Sequence, residues 1–276
     1  MAKSRFEYVR NFELPDPLMP NTFAVVRIDG RGFHKFSDTH QFDKPNDVRA
    51  LNLMDHAARS VMEELGDVVL AFGESDEYSF LIRRSSQLYN RRRSKINSTI
   101  VSLFTSAYVF HWTRYFPNTE LVYPPSFDSR VVLYPTPKEV RDYFSWRQAD
   151  THINNLQNTS FWALVDSGMT TTEANKTLQG TDSKEKNELL FSRFGINYNN
   201  LPPMFKKGST LVRRDPKSVE GIAEVSTSEQ ANDGENQARR KVKKVRPYEG
   251  TTGEVTVLHE DIIGDGFWNQ RPWLLS

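Results

Sequence analysis

The chain has 276 residues, 37% of them hydrophobic, enough apolar sequence to bury a core in one large domain or two small ones. Lysine and arginine number 36 against 35 acidic residues, so any nucleic-acid surface must come from local segregation of charge rather than from overall basicity. Cysteine is absent, which excludes disulfides and Cys-based zinc or redox sites, fits an intracellular protein, and leaves oxygen or imidazole to hold any metal.

The first stretch, MAKSRFEYVRNFE, lacks an apolar signal region, and no run approaches the ~18 apolar residues of a membrane span, so neither secretion nor membrane insertion is expected. FAVVRID at 23–29 reads as a buried strand. RALNLMDHAARSVMEELGD at 49–67 follows as a helix with Leu51, Met54, Ala58, Val61 and Leu65 on one face and Gly66 as its stop. DVVLAF and YSFLI flank GESDE, the pattern of a hairpin with a polar tip. A helix around 91–116 with the stripe Ile96, Ile100, Leu103, Ala107 and Phe110 then leads to the strand RVVLYP at 130–135. The fold class implied is α+β, a ferredoxin-type βαββαβ sheet with helices on one face.

Beyond it, TPKE at 136–139 offers a capping box with proline in the first turn, and Thr170 with Glu173 and Asp182 with Glu185 mark two more helix starts. We therefore divide the chain into a catalytic unit over 1–135 and a mostly helical C-terminal region over 136–276. Within the latter, 215–254 is polar, nearly devoid of aromatics and ends in RRKVKKVR, the composition of a mobile loop.

Asp29 ends the first strand, while Asp76 and Glu77 occupy the hairpin tip. In a split βαββ unit the intervening helix returns the chain so that these carboxylates converge at one end of the sheet. Two acidic positions there suit Mg²⁺, which takes few carboxylates and completes its octahedron with water and substrate phosphates. Gly30 permits close backbone approach, so its carbonyl is a further candidate ligand. Each piece also has a plain reading: Asp-Gly is a common hairpin signal, and GESDE an ordinary turn. Backbone N–H groups from Gly30 to His34 could face phosphate oxygens if Phe33 opens a helical turn. Lys44 and the cluster Arg91, Arg92, Arg93 and Lys95 could neutralise a triphosphate or an RNA backbone, or form a solvated helix face. Ser75 is a candidate phosphate donor or simply a turn serine. SWRQADTHINNLQNTSFWAL at 145–164 loads a helix with Trp146, Arg147, His152, Asn154, Asn155 and Asn158, amide and imidazole groups able to read RNA.

Taken together, RIDGRGFHKF, KPND, GESDEYSF, RRRSKI, YPPSFDSRVVLYP, SWRQADTHINNL, LQGT, KNELLF, FGINYN and HEDIIGDGFW resemble, in order, the blocks of the eukaryotic-type tRNA-histidine guanylyltransferases, over nearly the whole chain. The resemblance implies a palm-like catalytic domain used in the 3′-to-5′ direction, adding one guanosine to the 5′ end of tRNA-His. A 5′-monophosphate is activated with ATP, the 3′-hydroxyl of GTP attacks, and pyrophosphate is later removed. It further implies two Mg²⁺ held by Asp29, the Gly30 carbonyl and Asp76, with Glu77 supporting them. The segment Asp29, Gly30, Arg31, Gly32, Phe33 and His34, with Ser75, would bind GTP or ATP. Lys44, Arg92 and Lys95 would contact phosphate, and His152, Asn155, Lys186 and Asn187 would handle tRNA. A homotetramer in the cytoplasm, and also in the nucleus, belongs to the same expectation.

Two other functions compete. A non-catalytic tRNA-binding module with a degenerate palm has no need to bring carboxylates near phosphate, so joint retention of Asp29, Asp76 and Glu77 disfavours it. A nucleotide cyclase shares a two-metal palm but does not require the helical block at 145–190.

Overall fold

In the computed structural model, which describes residues 4–216 and 247–276, the apolar run after Asn21 becomes strand β1, Phe23–Gly30, with Phe23 to Val26 fully buried. A strand apolar at successive positions must be covered on both faces. Ala24, Val26 and Ile28 meet one cluster, while Phe23 and Val25 meet another. The first cluster is closed by α2, Val48–Glu64, capped by the Asp47 side chain, and by α3, Arg93–Phe110. The buried face of α3 carries Ile96, Ile100, Phe104, Ala107 and Tyr108. The stripe expected from spacing was rotated slightly: Leu103 is half-buried and Phe110 is 79% exposed. The helix also stops short of 116, breaking at His111 before the short α4, Trp112–Tyr115.

Strands β2, Val68–Glu74, β3, Glu77–Ile82, and β4, Phe127–Tyr134, complete the set expected from the sequence. All pairings are antiparallel, and the six-stranded sheet runs β4-β1-β3-β2-β5-β6. Its last two members, β5, Ser209–Arg213, and β6, Val255–Leu258, come from the C-terminal region, which is thus not helical throughout.

The second face of the sheet is covered as well, which corrects the one-sided expectation. It packs on Val140, Tyr143 and Phe144 of the 30-residue helix α5, Pro137–Asp166, and on Ile262, Phe267, Trp268 and Leu274. Phe267 and Trp268 belong to α9, Asp265–Asn269. Beyond the sheet, the far half of α5 carries α6, Thr171–Leu178, and α7, Ser183–Phe194, on two small cores. All three capping boxes read from the sequence are formed. A short α8, Pro203–Lys207, leads into β5. The loop expected over 215–254 falls mostly outside the described residues, but near its end two residues are tied down: Tyr248 lies edge-on to Trp273, and the buried Gly250 accepts at its carbonyl from Arg213 at 3.1 Å.

Candidate active site

β1 does not turn back into a strand after Asp29-Gly30; Phe33 opens α1, Phe33–Thr39, so the hairpin reading of that dipeptide fails. Register places Asp29 opposite Glu77 on one side and Asp128 on the other. The Gly30 amide donates to the Asp76 carbonyl at 3.1 Å, which ties the end of β1 to the β2–β3 tip. A methyl group at residue 30 would collide with the Phe33 ring and lie 2.8 Å from Asp76 Oδ2, so only glycine lets the three come this close. Gly32, at φ +66°, supplies the left-handed residue that starts α1.

This convergence has an electrostatic signature. Burial, reinforced by the charge of Asp29, pushes the Asp76 carboxyl up to about 6. Burial likewise pushes Glu77 up to about 7, although Arg147 and Arg27 oppose the rise. A buried carboxyl raised in this way, with a second carboxylate beside it, is a place where a cation would relieve the crowding of negative charge. Among the described residues no set of three carboxylate or imidazole groups is placed to encage a metal. Asp29, Asp76 and the neighbouring Gly30 carbonyl are the oxygens here that could hold a hard cation such as Mg²⁺, with substrate oxygens completing its shell.

These groups open on a cleft of about 620 Å³ between the sheet end, α2 and α5. Asp29, Phe33, His34, Lys44, Ser75, Asp76, Glu77 and Asn155 line it. Gly30, Arg31 and Gly32 form the adjoining turn, where the Arg31 amide donates to Ser126 O at 2.8 Å. Lys44 sits at the rim, 2.9 Å from Asp38 and donating to Ser37 at 3.0 Å. Arg92 and Lys95 do not line the cleft: Arg92 lies 3.5 Å from Asp16, and Lys95 stands 4.8 Å over the Tyr89 ring. Asn155 is committed internally, accepting from Asn46 at 2.9 Å and donating to the Tyr198 hydroxyl at 3.0 Å. His152 is exposed and edge-on to Tyr198. Lys186 and Asn187 bond back to Thr181 O and Ser183 O, well along the helical arm.

Three cleft residues escaped the site assignment. Arg147 pairs with Glu74, Glu77 and Asp150; Glu74 itself is a carboxyl raised by burial, with Arg147 opposing the rise. Asp55, raised by burial, accepts from the Tyr78 hydroxyl at 2.8 Å and Ser209 at 2.9 Å, stapling α2 to β3 and β5. The last had a sequence signal, a carboxylate inside the apolar run LMDHAA.

Known proteins decide the family. The model for tRNAHis guanylyltransferase matches residues 6–135, and that for the Thg1 C terminal domain matches 138–264. The chain belongs to the tRNA(His) guanylyltransferase family. It is 53% identical to the tRNA(His) guanylyltransferase of Neurospora crassa, covering 100% of this chain and 97% of that protein. The Debaryomyces hansenii enzyme is 49% identical with 100% of both chains covered. The crystal structure of the Saccharomyces cerevisiae tRNA(His) guanylyltransferase superposes with a TM-score of 0.73 at 51% identity, over 75% of this chain and 93% of that one. A bacterial Thg1-like protein in complex with ATP, 22% identical, shares the fold at a TM-score of 0.70 over 98% and 97% of the two chains. Among the described residues no helix is long and apolar enough to cross a membrane.

Proposed function

We propose that the protein adds a guanosine to the 5′ end of tRNA-His by 3′-to-5′ nucleotidyl transfer, with ATP and GTP as substrates. The observation that carries this reading is the apposition of Asp29 and Asp76 across Gly30, at the mouth of a nucleotide-sized cleft in a chain of this family. We read β1-α2-β2-β3-α3-β4 as a palm-like, ferredoxin-type core carrying the chemistry, with the region from 136 onward serving tRNA.

In the first step an oxygen of the tRNA 5′-monophosphate attacks the α-phosphorus of ATP, forming an adenylylated 5′ end and releasing pyrophosphate. In the second, the 3′-hydroxyl of GTP attacks the 5′ phosphorus, loses its proton and expels AMP, leaving a 5′-triphosphate from which pyrophosphate is hydrolysed. Two Mg²⁺ ions, held by Asp29, the Gly30 carbonyl and Asp76, would neutralise phosphate charge and acidify the attacking hydroxyl. The chain's own part is orientation. The turn from Asp29 to His34, with Ser75, holds the nucleotide, and Lys44 leaves Asp38 for a triphosphate oxygen. Glu77, next to Asp76 in the chain and opposite Asp29 in the β1–β3 register, supports the pair. Arg92 and Lys95, outside the cleft, take phosphate of the RNA. His152, Lys186 and Asn187 lie along the arm that receives tRNA, and Asn155 shapes that surface from within. A homotetramer located in the cytoplasm and nucleus completes the reading.

The test is incubation with 5′-monophosphorylated tRNA-His lacking the extra guanosine, ATP and labelled GTP. Label should map to a new 5′-terminal nucleotide. Label at the 3′ end, or a cyclic nucleotide product, would replace this function with another.

A further inference from the structure

The β2–β3 tip is gripped from one side by a single guanidinium. Glu74, the last residue of β2, and Glu77, the first of β3, face each other across the hairpin. Like charges directly opposite on paired strands repel. Arg147 of α5 lies between them: Nη2 donates to Glu74 Oε1 at 2.9 Å, and Nε stands 2.9 Å from Glu77 Oε1 as an ion pair that is not aligned as a hydrogen bond. The same Nη2 reaches Asp150 Oδ2 at 2.6 Å, one turn further along α5, so the guanidinium is anchored to its own helix. Its side chain is only 7% exposed and stacks 4.3 Å from the Trp146 ring centroid. Ser75 and Asp76 are the two residues bracketed by this grip, and the Asp76 carbonyl is held from the other side by the Gly30 amide.

We propose that Arg147 is a positioning residue: acting through Glu74 and Glu77, it fixes the hairpin tip so that the Asp76 carboxylate stays opposed to Asp29 for a substrate-bound cation. The inference rests on reading Asp29 and Asp76 as the cation ligands. Its physical content is the charge balance of the cluster. Three carboxylates meet one guanidinium, and Arg27 approaches only Glu77, at 3.6 Å. Without Arg147 the facing glutamates have no common counter-charge, and the turn between them loses its fixed geometry. Lysine does not substitute, because a single ammonium cannot span both carboxylates as a planar fork does.

The test compares the full-length wild type with Arg147→Lys, Arg147→Ala and Glu74→Gln. Mn²⁺ binding in the presence of GTP is followed by paramagnetic resonance, beside melting by circular dichroism and kcat and KM for GTP. Arg147→Lys should remain folded and hold KM near wild type. It should bind Mn²⁺ about tenfold more weakly, as lost support around a metal ligand does, and lose kcat by roughly 100-fold, as a small misplacement at a reacting centre does. Added guanidinium ion should restore part of kcat to Arg147→Ala. Should that variant not fold, Glu74→Gln carries the test, since it removes one anchor yet leaves Arg147 paired with Glu77 and Asp150; its kcat should fall with KM unchanged. Wild-type Mn²⁺ affinity and kcat in Arg147→Lys and Glu74→Gln would overturn the proposal, as would losses that merely track melting temperature and ignore guanidinium. A wild type that binds Mn²⁺ but adds no guanosine would strike the functional reading alone; one that binds no Mn²⁺ strikes both.

Discussion

At Asp29 one oxygen separates the proposed metal ligand from a residue that only shapes the chain. Asp29→Asn preserves size and backbone preference but removes the charge that Mg²⁺ requires. It should melt within a few degrees of wild type and lose at least roughly 100-fold in guanosine addition, because the ligands of a two-metal site are worth several kcal/mol in the transition state. Mn²⁺, more tolerant of neutral ligands, should restore part of it. Labelled-GTP incorporation beside a melting curve decides the point, and full activity would remove the metal assignment. Asp76 yields a pH prediction. Its folded pKa of about 6 lies above the ordinary 3.8, so the fold favours the protonated acid, and stability drains away as pH rises from 3.8 through about 6. Without divalent cation, the melting temperature of wild type relative to Asp76→Asn should therefore fall across that window, and that relative fall should shrink in Mg²⁺, which replaces the proton. An identical profile in the variant would show that Asp76 does not titrate there. Both aspartates were legible in the sequence because they sit at ends of strands whose order follows from short connections. Arg147 was visible only as part of an unusual polar load. Its partner Glu74 lies 73 residues away, and only tertiary packing decides which charge is buried with which.

Among the elements, α5 links sheet and helical arm, and its polar face splits into two kinds of residue. Asn154 and Asn158 are exposed, whereas Asn155 is buried and bonds Asn46 on one side and Tyr198 on the other. Asn155→Ala leaves two polar partners unmatched, at about 1–3 kcal/mol for each that stays buried, and should lower the melting temperature by several degrees. Asn154→Ala should not. Equal melting of the two variants would return Asn155 to a purely RNA-facing role. The start of the same helix was readable because capping is local chemistry, and Thr136→Ala should cost about 1 kcal/mol in denaturant unfolding. β5 and β6 were not readable. STLVR and VTVL are too short to show a period, and β5 is made a strand by pairing with β2, which lies far back in the chain.

For the whole molecule, the boundary near 136 marks a change of sequence pattern that both the sheet and its second core cross. The matches to known families also divide there, 6–135 and 138–264. Yet the sheet of the first part is extended by β5 and β6 from the second, and Phe23, Val25, Leu70, Phe72 and Leu81 are buried against α5 and the C-terminal segment. Exposing them costs roughly 1.5–3 kcal/mol for each large side chain, as much together as the about 5–15 kcal/mol that holds a typical domain folded. Removing 136–276 would also withdraw Arg147, leaving Glu74 and Glu77 facing each other without their shared counter-charge. The fragment 1–135, expressed alone, should consequently show no cooperative thermal transition, bind a hydrophobic dye, and fail to bind Mn²⁺ with GTP. Co-expression with 136–276 should restore all three properties to wild-type behaviour. A soluble 1–135 fragment that melts cooperatively and binds Mn²⁺ would show instead that the first unit carries its own stability, and that the helical region is an appendage to a complete catalytic domain.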